Sequence, residues 1–195
     1  MPRAADASVL EGHGVRLEPL SLAHVPGLQA ATADGDIGLL SYVSVPPPAG
    51  MVDWVANALA MREAGRERPY AIVVDGHVVG STRLYDIEPG VPNGAIGYTF
   101  QAASVWRTHV NTAGKRLMLG HAFDDLQMQA VYFHTSHLNL RSRAAIERLG
   151  ARLDGVLRRH KRHKDGSLRD TWSYSIIADE WPAIRDRLDA RLAAG

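Results

Sequence analysis

Residues 96–115 read IGYTFQAASVWRTHVNTAGK. The run Ala95 to Phe100 is β-branched and aromatic enough for a strand, and from Val110 the apolar residues fall into helical spacing. Val110, Ala113 and Leu117 form one apolar set, continued by Leu119, Ala122, Phe123 and Leu126. Between strand and helix lies a loop, Val105 to His109. A helix start leaves backbone N–H groups unpaired and carries positive partial charge, so a loop of this kind can hold a diphosphate. Asn111 or Thr112 acting as a helix cap fits the same residues.

Downstream, Ala130 to Thr135 predicts a second strand. Ala145, Ile146 and Leu149 continue helical spacing from Ser142, with Gly150 as the C-cap. Upstream, Tyr70 to Val74 and His77 to Tyr85 are joined by Asp75-Gly76, a hairpin signal, and residues 87–94 are rich in turn formers. A short strand is expected at Gly14 to Leu20. Helices are expected at Ala23 to Ala33 and Met51 to Ala64, separated by the extended run Val45-Pro46-Pro47-Pro48. Near the C-terminus, Leu153 to His163 and Leu168 to Ile177 flank Asp165-Gly166 as a second hairpin, before a last helix over about Asp179 to Leu192. Antiparallel hairpins at both ends with strand–helix–strand–helix between them imply an α/β (α+β) layered domain around a mixed sheet.

The chain has 195 residues, 46% of them hydrophobic, which suits one substantial core. We expect a single domain over residues 14–192 behind an N-terminal extension, 1–13. The net charge of +1 supplies no overall attraction to nucleic acid or to an anionic membrane. Cysteine is absent, which excludes disulfides, thiolate metal sites and an acyl-cysteine intermediate. Met1 to Gly12 holds no long apolar segment, so no signal peptide or membrane span is expected and the cytoplasm is the expected compartment. Monomer and homodimer both stay open.

Three blocks together resemble the GNAT N-acetyltransferases: Ile96-Gly-Tyr-Thr; Val110-Asn-Thr-Ala-Gly-Lys followed by Leu117 to Phe123; and Asn139-Leu-Arg-Ser-Arg-Ala-Ala-Ile-Glu-Arg-Leu-Gly150. The nearest branch is that of the ribosomal-protein-alanine N-acetyltransferases (RimJ/RimL-like), supported by Asp165-Gly-Ser-Leu-Arg-Asp170 and Glu180-Trp-Pro182. The resemblance implies a GNAT-type twisted mixed sheet whose two central parallel strands part to admit the pantetheine arm of acetyl-CoA. It also implies transfer of the acetyl group to a primary amine by direct attack, with a protein N-terminal amine as one such acceptor. Arg107, Thr108, His109, Val110, Asn111 and Thr112 align with the pyrophosphate loop. His109 stands where the family usually has glycine, and its Cβ restricts φ. Asn139 aligns with the residue that contacts pantetheine, a role compatible with capping the following helix. Ser142 aligns with the candidate general acid near the thioester sulfur, and strand N–H groups near Tyr98 would polarise the carbonyl.

No base is evident. The branch often carries Glu where this chain has Ala95, which leaves Asp86, Glu88, His134 and His137 as candidates; an α-amine with a pKa near 8 needs none. The nine histidines include no His-Glu-x-x-His motif, so no metal is expected. Trp54, Tyr42 and Tyr85 are candidates to line an acceptor pocket. The basic run Arg158 to Lys164 is either a solvated turn or an attractor for an acidic substrate or cofactor phosphates. Two other readings compete with catalysis: a non-catalytic acyl-CoA-binding regulatory module, and a nucleic-acid-binding module using the basic hairpin, which has few interleaved aromatic residues in its favour.

Overall fold

The computed structural model describes residues 8–88 and 90–194; residues 1–7 of the expected extension lie outside them. The elements, in chain order, are β1 (Leu10–Gly12), β2 (Val15–Pro19), α1 (Val25–Ala33), α2 (Met51–Glu63), β3 (Arg68–Val74), β4 (His77–Glu88), β5 (Asn93–Gln101), α3 (Val110–Gly120), β6 (Ala130–Ser136), α4 (Leu140–Leu149), β7 (Arg152–Arg162), β8 (Leu168–Ile177) and α5 (Trp181–Ala193). Most bounds lie close to those expected from periodicity. One strand was not expected: Leu10–Gly12, within the stretch read as an extension, pairs with β2. His13 and Gly14 both have positive φ, 54° and 71°, the geometry of a tight two-residue hairpin turn. His is a rare first residue of such a turn, so the signal was weak. Asp75-Gly76, with φ of 49° and 75°, makes the same turn from the expected residues.

The strands form one sheet in the order β1-β2-β3-β4-β5-β6-β8-β7, antiparallel except for the β5–β6 pair. Helices cover both faces. On one face α3, α4 and α5 bury Ala113, Ile146 and Leu188 against Leu17, Ile72, Leu84, Phe133 and Tyr174. On the other, α1 and α2 bury Leu28 and Val55 against Ala71 and Phe100. Each layer hides the apolar side of its helices, and the alternation of strand side chains supplies both cores.

The sheet is interrupted at its centre. β5 and β6 pair only at Asn93↔Ala130, Gly94↔Val131 and Ala95↔Tyr132, yet β5 continues to Gln101 and β6 to Ser136. Across the β4–β5 ladder the register slips between Ser81↔Phe100 and Arg83↔Gly97, so β5 carries one residue more than its partner. Tyr98, with φ of 50°, lies in this β-bulge. The bulge bends β5 away from β6 and opens a cleft between two parallel strands.

Candidate active site

One wall of the cleft is made by the loop before α3 and the start of α4. The hydroxyl of Thr108 donates to the carbonyl of Val105 (2.7 Å) and accepts the N–H of Val110 (3.3 Å), and the Ala113 N–H closes the first turn onto His109 O (2.9 Å). The N–H groups of Asn111 and Thr112 belong to the same first turn, where a helix offers donors to an anion. His109 has φ of −70° and ψ of −17°, so the expected conflict at this non-glycine position does not arise. The strained residue is Arg107, with φ of 64°. Facing the loop, the Arg141 guanidinium of α4 lies 3.8 Å from the Trp106 ring centroid, and Trp106 Nε1 donates to Gln101 O at 2.8 Å. Burial lowers the pKa of Arg141, and repulsion from Arg107 lowers it further. Two guanidinium groups that repel one another beside a helix start suit a diphosphate, so the residues present fit coenzyme A.

Asn139 is the N-cap of α4: its Oδ1 accepts the Ser142 N–H at 3.0 Å. That bond uses the amide oxygen and leaves the Nδ2 donors for a second partner, so capping and pantetheine contact use different atoms. Ser142 is half-buried in the first turn of α4. Behind this wall Lys115 is buried, its Nζ donating to Thr99 Oγ1 (2.7 Å), which bonds Thr82 Oγ1 (2.8 Å). Burial pushes the Lys115 ammonium down to about 7.

The opposite wall lies on the α1/α2 face. The Tyr85 ring covers Gly97, where an added Cβ would meet it at 2.7 Å, which explains the glycine of the Ile-Gly-Tyr-Thr block. Tyr85 meets Tyr98 edge to face with ring centroids 5.1 Å apart, and a hydrogen bond of 3.2 Å joins Tyr85 OH to His134 Nδ1. Burial, then the charge of Lys161, lowers the pKa of His134 and so favours its neutral form. Ala95 is buried opposite Tyr85 and Tyr132, with no carboxylate there. Asp86 is exposed at the end of β4 with φ of 50° and raises the pKa of His134 through space. Glu88 Oε1 accepts the Gly90 N–H (3.0 Å) within its own turn, and His137 Nδ1 accepts the Asp170 N–H of β8 (3.2 Å). Of the four candidate bases, His134 is hydrogen-bonded to Tyr85, and Asp86 acts through space on Tyr85, Tyr98 and His134.

The same wall contains residues that sequence reasoning missed. Arg83 is fully buried, 3.8 Å from the Trp54 ring centroid and 4.5 Å from that of Tyr98, and its Nη1 donates to Glu67 Oε2 at 3.0 Å. Burial drives both partners towards neutrality, and their attraction opposes it. A charged residue inside the strand pattern VVGSTRLY was the available signal. The basic run is only partly a solvated turn. Arg158 and Arg159 are exposed, but His163 is buried, bonding Ser136 Oγ (2.8 Å) and Ser167 Oγ (2.9 Å). Lys164 Nζ donates to the carbonyls of Gly38 and Val45, fastening the β7–β8 hairpin to the loop between α1 and α2. Tyr42 and Trp54 line the pocket beneath that junction, and Tyr85 lies on the same face of the sheet.

Residues 15–152 match the family model for the acetyltransferase (GNAT) domain. The chain belongs to the GNAT acetyltransferases. A T. thermophilus protein classed as an acetyltransferase is 34% identical, with 95% of this chain and 97% of that one aligned at a TM-score of 0.83. A GCN5-related N-acetyltransferase from Brucella melitensis is 29% identical over 95% of this chain and 85% of that one, with a TM-score of 0.86. Mycobacterium smegmatis RimJ, solved with CoA-disulfide, shares the fold at 23% identity and a TM-score of 0.79, with 94% and 93% of the two chains covered. No curated protein matches the sequence. This GNAT domain has no helix, among the described residues, long and apolar enough to cross a membrane.

Proposed function

We propose that the protein transfers an acetyl group from acetyl-CoA to a primary amine, with a peptide α-amine as the acceptor. The parting of β5 and β6 beyond Ala95↔Tyr132, with the α3 start and the Arg107/Arg141 pair at its mouth, carries this reading. RimJ with CoA-disulfide and MccE with acetyl-CoA and AMP, two proteins of this fold, support the choice of donor. Acetyl-CoA supplies a thioester whose carbonyl carbon is open to direct attack by a neutral amine. Tyr98, whose bulge takes its backbone out of the β4 ladder, donates its N–H to the carbonyl oxygen as charge develops there. Ser142 relays a proton to the departing sulfur as the C–S bond breaks, taking up one from solvent in its place so that it remains a hydroxyl, and Asn139 and the Arg107 to Thr112 loop hold the cofactor. His134, steadied by Tyr85, takes the proton that the amine loses, and Asp86 lends negative charge at the rim.

Among the described residues the carboxylate of the acceptor wall, Glu67, is held by Arg83, so amines already partly neutral near pH 7 are favoured over a lysine side chain with a pKa of about 10.4. A peptide bearing both a free N-terminus and a lysine should be acetylated at its terminus, as read by mass spectrometry after digestion. Predominant lysine acetylation would overturn the acceptor assignment.

A further inference from the structure

Two guanidinium groups face the acceptor side of the cleft, and only one has an acid. Arg83 is held by Glu67 at 3.0 Å. Arg169, at the start of β8, has no carboxylate partner among the described residues, and its Nε is buried without a hydrogen bond. Burial lowers its pKa, and the groups that act on it through space are the hydroxyls of Tyr85 and of Tyr98, the residue of the bulge. A guanidinium sunk among side chains without a counter-charge carries a desolvation cost that an incoming anion relieves.

Its surroundings continue the pattern. Arg169 lines a pocket of about 280 Å³ between the α1–α2 loop and the β7–β8 hairpin, together with Tyr42, Ser44, Trp54, Arg162 and Lys164. Three of its lining residues are cations and none is a carboxylate. Arg162 and Lys164 are already engaged by backbone carbonyls, of Gly166 (2.8 Å) and of Gly38 and Val45 respectively. They contribute positive field and structure, and Arg169 retains unsatisfied donors. Trp54 lines the pocket and also touches Tyr98, edge to face at 6.5 Å between ring centroids, so the pocket adjoins the bulge at which the acetyl group is attacked. The phosphates of the cofactor have their own site at the start of α3, beside Arg107 and Arg141.

We infer that this pocket selects an acceptor carrying a carboxylate or phosphate within about one residue of its reacting amine, with Arg169 as the residue that pairs with that anion. The inference rests on the acetyl-transfer reading and narrows its acceptor class. A planar guanidinium matches either anion with two parallel N–H donors, whereas an ammonium supplies only a point charge.

The test uses two matched pairs of dipeptides with acetyl-CoA and the full chain: Ala-Asp-amide against Ala-Asn-amide, and Ala-Gly against Ala-Gly-amide. The first places the anion on a side chain and the second at the terminus, so together they locate it. An anionic member is expected to be acetylated with kcat/KM about tenfold or more above its neutral partner, a ratio worth ~1.4 kcal/mol. Arg169→Gln should bring that ratio close to one, Arg169→Lys should keep part of it, and both should retain the thermal shift given by acetyl-CoA, which reports folding and the cofactor site. Equal use of charged and neutral partners by the wild type, or a preference that survives Arg169→Gln, would overturn the inference while acetyl transfer stands. If no dipeptide is turned over, the transfer reading is what fails, and calorimetry with the CoA-loaded protein decides the pocket. Tighter binding of the anionic partner, lost in Arg169→Gln, supports it; no charge preference in binding removes it.

Discussion

The two walls of the cleft are built differently. The wall proposed for the cofactor is local: residues 105–112 and 139–142 are short segments that offer backbone N–H groups, a cap and first-turn side chains, all set by the start of a helix. The acceptor wall is assembled from distant pieces. Arg83 on β4, Glu67 before β3, Trp54 on α2, His134 on β6 and Arg169 on β8 meet only through the sheet and its packing. A binding site for a common cofactor can be written as a contiguous motif. A site for a particular acceptor is a charge pattern in space, and one scaffold hosts many such patterns.

The largest expected effect comes from breaking the acceptor wall at its buried ion pair. Glu67→Ala leaves the Arg83 guanidinium buried without its partner and should cost about 3–5 kcal/mol of stability, measured as a lower midpoint in urea unfolding. Glu67→Gln, which keeps a hydrogen-bond acceptor, should cost less. Near-wild-type stability for both would mean that stacking on Trp54 and Tyr98 alone holds Arg83, and the wall would not depend on charge pairing.

A second test probes the layer behind the cofactor wall. The Lys115 ammonium is pushed down to about 7 in the folded protein from 10.5 in the open chain. Below pH 7 both states are protonated and the fold carries the full cost of the buried charge. Between pH 7 and 10.5 the folded protein has lost a proton that the unfolded chain keeps. Stability from this group therefore rises with pH, by at most ~1.4 kcal/mol per pH unit, and is lost again as pH falls through 7. Lys115→Met should be more stable than wild type by a few kcal/mol at pH 6, with the gap shrinking towards pH 9.5 in chemical denaturation. A gap that does not change with pH would assign Lys115 a charge-independent role. The range stops short of pH 10 because Tyr70, pushed up to about 12 by burial, begins to oppose the trend as the unfolded chain ionises.

The smallest of the three effects is the most specific. Ser142→Ala should lower kcat about 10²-fold while the Kd for acetyl-CoA stays nearly constant, because a proton given to the leaving sulfur acts only in the transition state. Asn139 still caps α4 in this variant through the Ser142 backbone N–H, so the helix start should persist. Unchanged kcat where chemistry limits the rate would reduce Ser142 to a first-turn residue.

Much of the fold was legible in periodicity and turn chemistry. Alternation marked the strands, 3.6-residue spacing marked α3 and α4, and Asp75-Gly76 and Gly150 took the positive φ of a hairpin turn and a helix cap. The loop proposed for the pyrophosphate was visible as a strand-to-helix connection, although its positive φ falls at Arg107 and not at His109, a choice made by the route of the chain from β5 into α3. The His13-Gly14 turn escaped notice because His seldom adopts positive φ.

What the sequence determined by itself was most of the elements, the loop-to-helix start of α3 and the cap of α4 among them, since these depend on residues within a few positions of one another. Only the tertiary structure decided which charges are paired. Arg83 and Arg169 are both single arginines in strands, yet one lies against Glu67 and the other is left with no acid among the described residues. That difference arises from sheet order and from a hairpin fastened by Lys164 to the α1–α2 loop. Neither can be read from neighbours along the chain, because the energy of a buried charge depends on what surrounds it in three dimensions.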